Sequence, residues 1–411
     1  MLKFDVAFIG TGVSGLYAAA LLSKAGRNVV LIDPAERAGG AAAIQEKDGL
    51  RFIAGPNIGY GLESGGPAHA LYDTLGLSAA DRTNVSRYQV ALPDHRVTIS
   101  PDVQETLTEL RREFPHEIDK ITQLYRETKK MSIKASKSGL SSFFLGRRTA
   151  DAYLRTHCFS RELTAYFDIQ SRFFFGQDIQ TLSVSSLVLL LTDSPWSFPT
   201  GLGAISERLI ANIEGHRGSI RLREPWPDLV FHRRRISGMR TSQGSIEPRS
   251  VVVNTVWDAW ECSIFIAVQS EAVPVGMECT VLSLPDYKKL DEMICFTLSR
   301  SDAFNASRDM RTLTATYFGS ALSSALPEVR TDSIRTIMPF LFDFTLMTFE
   351  LGEGAGRYAL PKEIVVSSFD HQNAVKLVVP NSTKNLYLLP DSSRSLHHSL
   401  SAGSYISNRL R

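Results

Sequence analysis

The stretch from Phe4 to Asp33 constrains the fold of this chain more than any other part of its sequence. An apolar, β-rich run ends at Ile9 and leads directly into Gly10-Thr11-Gly12-Val13-Ser14-Gly15. A segment rich in Ala and Leu, both strong helix formers, follows to about Lys24. A second apolar run then ends at Asp33. This order predicts a strand, a tight turn, a helix and a second, parallel strand.

The three glycines have the spacing of a dinucleotide-binding turn, and each has a separate physical role. Gly10 allows the sharp turn out of the strand, and Gly12 lets the backbone approach a pyrophosphate. Gly15 lets the helix pack closely on the sheet. Val13 and Ser14 open the helix, where free N–H groups and a partial positive charge attract phosphates. The turn therefore predicts a nucleotide-binding site.

The acid at the end of the second strand supports this prediction. A carboxylate such as that of Asp33 accepts hydrogen bonds from the hydroxyls of an adenosine ribose in such sites. The alternative interpretation is an ordinary βαβ unit that happens to contain a glycine turn. The position of Asp33 argues against that alternative, because a strand, a helix, a second strand and a terminal acid occur in the expected order.

Further motifs resemble those of the FAD-dependent amine oxidase and phytoene desaturase superfamily. The segment from Asp33 to Gly40 is similar to the acid-x5-Gly-Gly element of that family. Residues 48–56 look like its strand and Gly-Pro turn near the flavin, and residues 198–205 resemble its P-x-G-G stretch. Residues 385–391 and 401–406 are similar to its C-terminal flavin motif. The resemblance therefore extends from end to end, with the amino-terminal motif the most specific part.

The resemblance implies FAD as the cofactor, and it adds positions to the glycine turn and Asp33. In that family the Gly-Gly element extends the nucleotide site, the Gly-Pro turn lies near the flavin, and a strand near Trp226 supplies backbone contacts to adenine. A Trp there could instead pack on the sheet. The cofactor-binding positions implied in this way are Pro34, Gly39, Gly40, Ala41, Gly55, Pro56, Asn57, Trp226, Asp391, Leu400 and Ser401.

Three departures from the family pattern lie at this implied site. Ala41 stands where the family often has Arg, which removes one phosphate partner. Pro390 replaces the usual Gly before the C-terminal acid, although proline has a fixed φ and no N–H. Arg394-Ser395-Leu396-His397-His398 replaces the glycines that follow. These changes favour an alternative in which the flavin end of the site has drifted.

The resemblance gives the fold class as α/β, with a Rossmann-like FAD-binding domain (parallel sheet, GxGxxG) and a mixed α+β substrate domain. The FAD-binding domain is expected in three pieces, residues 1–65, 196–258 and 366–411. The substrate domain is expected in two, residues 66–195 and 259–365. Its first piece reads as mainly helical and its second as strands over 279–284, 294–299 and 312–318, which could form a wall of a substrate chamber.

Several smaller elements are also predicted from turn residues and periodicity. Residues 68–77 read as a helix, and residues 90–99 read as a hairpin that turns at Pro93-Asp94. The helical run over 102–130 is broken at Pro115. Residues 219–236 read as a pair of strands, residues 245–253 as a buried strand, and residues 203–213 and 402–410 as helices.

Composition argues against two classes of function, nucleic-acid binding and metal binding. The chain has 411 residues, 43% of them hydrophobic and 21% charged, which is ordinary for a globular protein of two or three lobes. A net charge of +2 gives no bulk attraction to nucleic acid, so no nucleic-acid partner is expected. The four cysteines match neither a zinc pattern nor a disulfide framework, so no metal is expected.

The same features predict a cytoplasmic protein. The first strand begins at residue 4, so no signal peptide is expected, and no apolar run is long enough to span a bilayer. Lys129, Lys130, Lys134 and Lys137 form a basic stretch on a predicted helix. It is either a solvated helix face or a surface that meets anionic lipid headgroups, so peripheral membrane association stays open.

Two functional hypotheses follow from the resemblance. The first is an FAD-dependent oxidoreductase that transfers hydride to flavin N5 from a mostly apolar, isoprenoid-like small molecule or from an amine. The second is a flavin-binding isomerase-like or maturation protein without net redox turnover. The candidates for proton transfer are His69, His157, His371, His397 and His398, but each alone is more often a structural or surface residue, so no catalytic residue is identified. Trp196 could face the flavin or pack in the core. The sequence leaves the oligomeric state open.

Overall fold

The computed structural model describes residues 2–54, 57–60, 83–137, 146–198, 201, 203–255, 261–290, 292–299, 309–318, 325–350, 383–390 and 396–411. Strands and helices are numbered in chain order. Two seven-stranded sheets organise these residues, and each is covered by helices. The first sheet carries the glycine turn, and the second lies in the part of the chain expected to form the substrate domain.

The first sheet is built around a parallel core. Its strands are β1 (Leu2–Ile9), β2 (Val29–Ile32), β10 (Ser219–Arg221), β11 (Asp228–His232), β12 (Arg235–Thr241), β13 (Gly244–Thr255) and β19 (Leu386–Pro390). The order is β10-β2-β1-β13-β12-β11, and β19 also pairs with β13. All contacts among β10, β2, β1, β13 and β19 are parallel, whereas β12 and β11 are added antiparallel. The predicted Rossmann-like parallel sheet is therefore confirmed.

Helices α1 (Val13–Lys24), α7 (Gly203–Gly215) and α9 (Leu396–Leu410) cover one face of this sheet. Helix α1 packs closely, since eleven of its twelve residues are buried. Its glycine, serine and alanine residues are small enough to allow this. Helix α9 packs directly on α1, and a Cβ on Gly403 would lie 2.8 Å from the carbonyl oxygen of Ser14. The chain end thus returns to the helix that follows the glycine turn.

The second sheet has the order β18-β14-β17-β16-β15-β7-β8. Its strands are β7 (Tyr88–Ala91), β8 (Arg96–Ile99), β14 (Glu261–Gln269), β15 (Thr280–Ser283), β16 (Met293–Leu298), β17 (Met310–Phe318) and β18 (Thr345–Glu350). Only β15 and β7 pair in parallel, so the sheet is mostly antiparallel. Helices in this part are α2 (Val103–Glu113), α3 (Ile118–Lys137), α4 (Ala150–Leu154), α5 (Arg161–Phe175), α6 (Val184–Thr192) and α8 (Pro327–Ile337).

Short strands connect the two parts. Strands β3 (Gln45–Lys47) and β4 (Leu50–Phe52) form a hairpin, and β9 (Trp196–Ser197) pairs with both β5 (Ile58–Gly59) and β6 (Thr83–Val85). The ring of Phe52 packs edge-on against Phe265 and Phe349 of the second sheet, at centroid distances of 5.7 and 5.0 Å. An apolar contact therefore joins the segment after the glycine turn to β14 and β18.

A chain of buried hydrogen bonds links side chains in the core between the second sheet and its helices. The hydroxyls of Tyr60 and Tyr88 lie 3.0 Å apart, and Tyr88 donates to Oε1 of Gln170 at 2.6 Å. Gln170 in turn donates through Nε2 to the carbonyl of Tyr166 at 2.7 Å. Burial raises the pKa of Tyr60, Tyr88 and Tyr166, so these phenols stay protonated at neutral pH. The hydrogen bonds satisfy polar groups that water cannot reach.

Most predicted elements are present. The hairpin of β7 and β8 turns at Pro93-Asp94, and Pro115 lies between the end of α2 and the start of α3. The pairing predicted within 219–236 is wrong: β10 joins the parallel edge at β2, and β11 pairs with β12. The predicted helix over 68–77 lies outside the described residues.

Among the described residues, no helix combines the length and the apolar composition needed to cross a bilayer.

Candidate functional site

The candidate site lies at the carboxyl ends of the parallel strands, where loops leave the sheet in opposite directions. Strand β1 lies between β2 and β13, so Gly10 after β1 is flanked by Asp33 after β2 and by Asn254 near the end of β13. Open parallel sheets bind ligands at such a switch point.

Gly10 fixes the geometry of the turn. Its φ is +99°, and its N–H donates to the carbonyl of Ile32 at 2.8 Å. A Cβ at this position would overlap the backbone carbonyl oxygen of Asn254, well inside the 3.0 Å that real Cβ atoms keep from other heavy atoms. Glycine is therefore required here both by backbone conformation and by the neighbouring strand.

Asn254 ties the start of α1 to the sheet. The side chain is 3% exposed, and its Oδ1 accepts from the Gly15 N–H at 3.1 Å. Its Nδ2 donates to Oγ of Ser14 at 2.9 Å and to the carbonyl of Leu389 at 3.3 Å. A Cβ on Gly15 would overlap this amide, which explains the third glycine. Sequence reasoning missed Asn254; the available signal was a polar residue directly after three buried valines.

Asp33 shapes the glycine turn as well as facing the site. It is 3% exposed, and its Oδ2 accepts from the Thr11 N–H at 2.7 Å and from the Thr11 hydroxyl at 2.5 Å. Its Oδ1 accepts from the Ala35 N–H at 2.8 Å. Oδ2 thus uses both of its lone pairs, whereas Oδ1 keeps one for a further donor. Contact with ribose hydroxyls stays a prediction, and the structure adds a second role that the sequence did not predict.

The Gly-Gly element lies against the glycine turn. The Gly39 N–H donates to the Thr11 carbonyl at 2.9 Å, and Gly39 forms a parallel bridge with Gly12. Gly39 has a φ of +120°, and a Cβ there would lie 3.0 Å from Oγ of Ser206. Gly40 and Ala41 continue into the short 3₁₀ turn Gly40–Ala42. The glycine turn, the Gly-Gly element and helix α7, which carries Ser206, therefore meet at the amino end of α1.

This amino end fits an anionic group. Gly12 is the N-cap residue and offers no side-chain hydrogen bond, and the first turn of α1 contains no acid. The partial positive charge of the helix end is thus uncompensated by the helix itself. The Ser206 hydroxyl beside Gly39 has no hydrogen-bond partner among the described residues. The positive end of α1 and the unpartnered Ser206 hydroxyl are what the diphosphate of a dinucleotide would complete.

Comparison with known proteins identifies the same nucleotide-binding element. Residues 9–75 match the model of an NAD(P)-binding Rossmann-like domain. A prolycopene isomerase of Daucus carota is 21% identical over 294 residues, which is 63% of this chain and 47% of that protein. One polypeptide of a limonene dehydrogenase of Castellaniella defragrans is 30% identical over 132 residues, which is 31% of this chain and 23% of that protein. The matched part therefore spans less than half the length of these relatives.

The fold extends the likeness to the whole chain. A solved structure of a putrescine oxidase triple mutant has a TM-score of 0.63 and 14% identity, and the match covers 100% of this chain and 99% of that one. This chain therefore shares its fold with that oxidase over its whole length. These likenesses agree with the resemblance read from the sequence, and the predicted mixed α/β fold class is confirmed.

The remaining positions implied by the superfamily motifs are spread over several surroundings. Pro34 follows Asp33 and is half-buried, and Leu400 is buried in α9 against the core that contains α1. Asn57 accepts from the Thr280 hydroxyl at 2.5 Å, so its side chain is bound to the second sheet. The side chain of Trp226 packs on the sheet face opposite α1, as the packing alternative predicted. Gly55, Pro56, Asp391 and the side chain of Ser401 lie outside the described residues.

Glu224 supports the candidate site from the side of β10. Its N–H donates to the carbonyl of Asp33 at 3.1 Å. Its Oε1 accepts from the Ser242 hydroxyl at 2.6 Å and from the Ser242 N–H at 2.7 Å. Burial raises the pKa of Glu224, but the hydrogen bonds from Ser242 and Gln243 outweigh burial, and the net pKa lies below its usual value.

In the Glu224→Gln variant, the free energy of unfolding is expected to fall less steeply as the pH is lowered from 7 to 3. A carboxyl whose folded-state pKa is lowered adds stability above its unfolded-state pKa, about 4.3, and loses it as the pH falls through the folded-state pKa. At pH 7 we expect a cost of about 1–2 kcal/mol for the weakened hydrogen bonds. Urea unfolding from pH 7 to pH 3 measures both effects. The exposed Glu271→Gln is the control, and parallel profiles for Glu224→Gln and the unaltered protein would contradict the assignment.

Proposed function

We propose that this protein is an FAD-dependent oxidoreductase that acts on a mostly apolar, isoprenoid-like small molecule. The observation that carries the proposal is the arrangement of the glycine turn, the amino end of α1 and buried Asp33 at one switch point. This arrangement suits the adenosine diphosphate half of FAD. The prolycopene isomerase and the limonene dehydrogenase act, by their names, on prolycopene and limonene, which are isoprenoids. They favour an isoprenoid over an amine.

The residues of this chain would then bind and orient rather than perform the bond chemistry. FAD, when bound, supplies a hydride acceptor at flavin N5. Gly12, Val13 and Gly39 would lie along the diphosphate, and Asp33 would hold the ribose while it keeps Thr11 in place. We propose that strands β14 to β17 form an apolar wall that excludes water from the substrate. The face of β14 that carries Phe265 and Ala267 supports that role, because it packs beside Phe52 and Ala54 of the segment after the glycine turn.

A flavin-binding isomerase-like or maturation protein is the alternative proposal. The name of the Daucus carota relative favours an isomerase, and Ala41 and Pro390 mark a site that differs from the family pattern. Both alternatives require the same nucleotide site, because both retain the flavin. They differ in whether substrate conversion consumes an electron acceptor.

Anaerobic reduction of the flavin separates these proposals. The purified protein is reconstituted with FAD and mixed without oxygen with limonene, with a C40 polyene in detergent, or with putrescine. Loss of the absorbance of oxidised flavin with an isoprenoid supports the oxidoreductase, and loss only with putrescine would instead favour an amine oxidase. Isomerised product with no net flavin reduction supports the alternative. Failure to retain any FAD would contradict both.

A further inference from the structure

Ser206 is a buried hydroxyl without a hydrogen-bond partner at the candidate site. It lies on α7 and is 1% exposed, and its Oγ has no partner among the described residues. Buried polar groups are nearly always satisfied, because an unsatisfied one loses its hydrogen bonds to water and gains none in return. An unsatisfied serine therefore requires an explanation, and its position supplies one.

The hydroxyl lies next to the backbone of the Gly-Gly element. A Cβ built on Gly39 would be 3.0 Å from Oγ of Ser206, so the oxygen lies directly over Gly39. Gly39 itself forms the bridge with Gly12, the N-cap residue of α1. Ser206 is therefore placed beside the amino end of α1, although it is far from the glycine turn in sequence.

We propose that Ser206 donates a hydrogen bond to a phosphate oxygen of the bound dinucleotide. This inference rests on the proposed function, since it needs a diphosphate at the end of α1. The site has reason to need such a donor, because Ala41 offers none where the family often has a cationic side chain. A hydrogen bond to a charged acceptor is about twice as strong as one between neutral groups. The unsatisfied hydroxyl thus lowers the stability of the free protein, and a hydrogen bond to a phosphate oxygen would remove that loss in the complex.

Ser407 provides a matched control. It is also a fully buried serine whose Oγ has no partner among the described residues, but it lies near the other end of the helix pair. Its carbonyl accepts from the N–H of Arg411, and Arg411 bonds to Arg27 beyond the carboxyl end of α1. Removal of either hydroxyl relieves a similar desolvation cost. Only the Ser206 hydroxyl lies where a phosphate would bind.

The test compares cofactor affinity with stability of the free protein. FAD and ADP binding are measured by calorimetry on the cofactor-free protein and on its Ser206→Ala, Ser206→Cys and Ser407→Ala variants. We expect Ser206→Ala to bind both FAD and ADP between about ten- and a hundredfold more weakly. Ser206→Cys, with a weak donor of similar shape, should fall between. Ser407→Ala should bind both like the unaltered protein.

The thermal midpoint of the free protein gives the second readout. Both serine-to-alanine variants should unfold at the same temperature as the unaltered chain or higher, since each loses an unsatisfied group. FAD and ADP affinities of Ser206→Ala within twofold of the unaltered protein would overturn the inference while leaving the proposed function intact. Weaker FAD binding with unchanged ADP binding would overturn the assignment to the diphosphate. An unaltered protein that binds neither FAD nor ADP would overturn the proposed function itself, and this inference with it.

Discussion

Gly10→Ala is expected to destabilise the protein by more than about 4 kcal/mol and to abolish nucleotide binding. An L-residue at a φ of +99° is strained by about 1–2 kcal/mol on conformation alone. The new Cβ would in addition overlap the carbonyl oxygen of Asn254, which is backbone and cannot rotate away. Strands β1 and β13 would have to separate at the point where they frame the site. Thermal unfolding and FAD retention measure the two losses.

Gly26→Ala separates the steric part of this effect from the conformational part. Gly26 also has a positive φ, +83°, but a Cβ there would meet nothing within 4 Å. It lies beyond the carboxyl end of α1, away from the site. We expect a cost of about 1–2 kcal/mol and unchanged FAD affinity. Similar losses in the two variants would show that Asn254 does not press against Gly10 as described.

Asp33→Ala is expected to lower stability by about 3 kcal/mol or more and to weaken FAD retention strongly. The substitution removes the acceptor for the Thr11 N–H, the Thr11 hydroxyl and the Ala35 N–H, all held by a side chain that is 3% exposed. Each buried donor left unsatisfied costs about 1–3 kcal/mol, and relaxation of the loop reduces the sum. The glycine turn would lose its shape together with its ribose acceptor.

Two further variants distinguish the structural role of Asp33 from ribose binding. Thr11→Val removes only the hydroxyl donor, so it should cost about 1 kcal/mol and leave FAD affinity nearly unchanged. Asp5→Ala is the control at the opposite end of the sheet, where a carboxylate accepts from the Asn28 N–H at 3.0 Å. It should not alter FAD binding. FAD affinity unchanged in Asp33→Ala would show that the ribose assignment is wrong, whatever the loss of stability.

The sequence predicted the parts of this protein that depend on neighbours along the chain. The turn at Gly10, the helix from Val13 to Lys24 and the break at Pro115 follow from local backbone preferences, and the structure confirms them. The resemblance also placed residues 366–411 with the FAD-binding domain, and in the structure β19 within that piece pairs with β13 of the first sheet. The assignment of Asp33 to ribose came from the same motif and awaits its test.

The tertiary structure decided which distant residues complete the site. Asn254 reaches Gly15 across 239 positions of sequence, and Ser206 comes to lie over Gly39 only when α7 packs beside α1. The pairing of β10 with β2, rather than with β11, was decided in the same way. Periodicity and turn residues report which face of an element is buried, but they do not report its partner. Asn254, a polar residue near the end of a buried strand, binds Ser14 and Gly15 only because the fold brings the glycine turn against it.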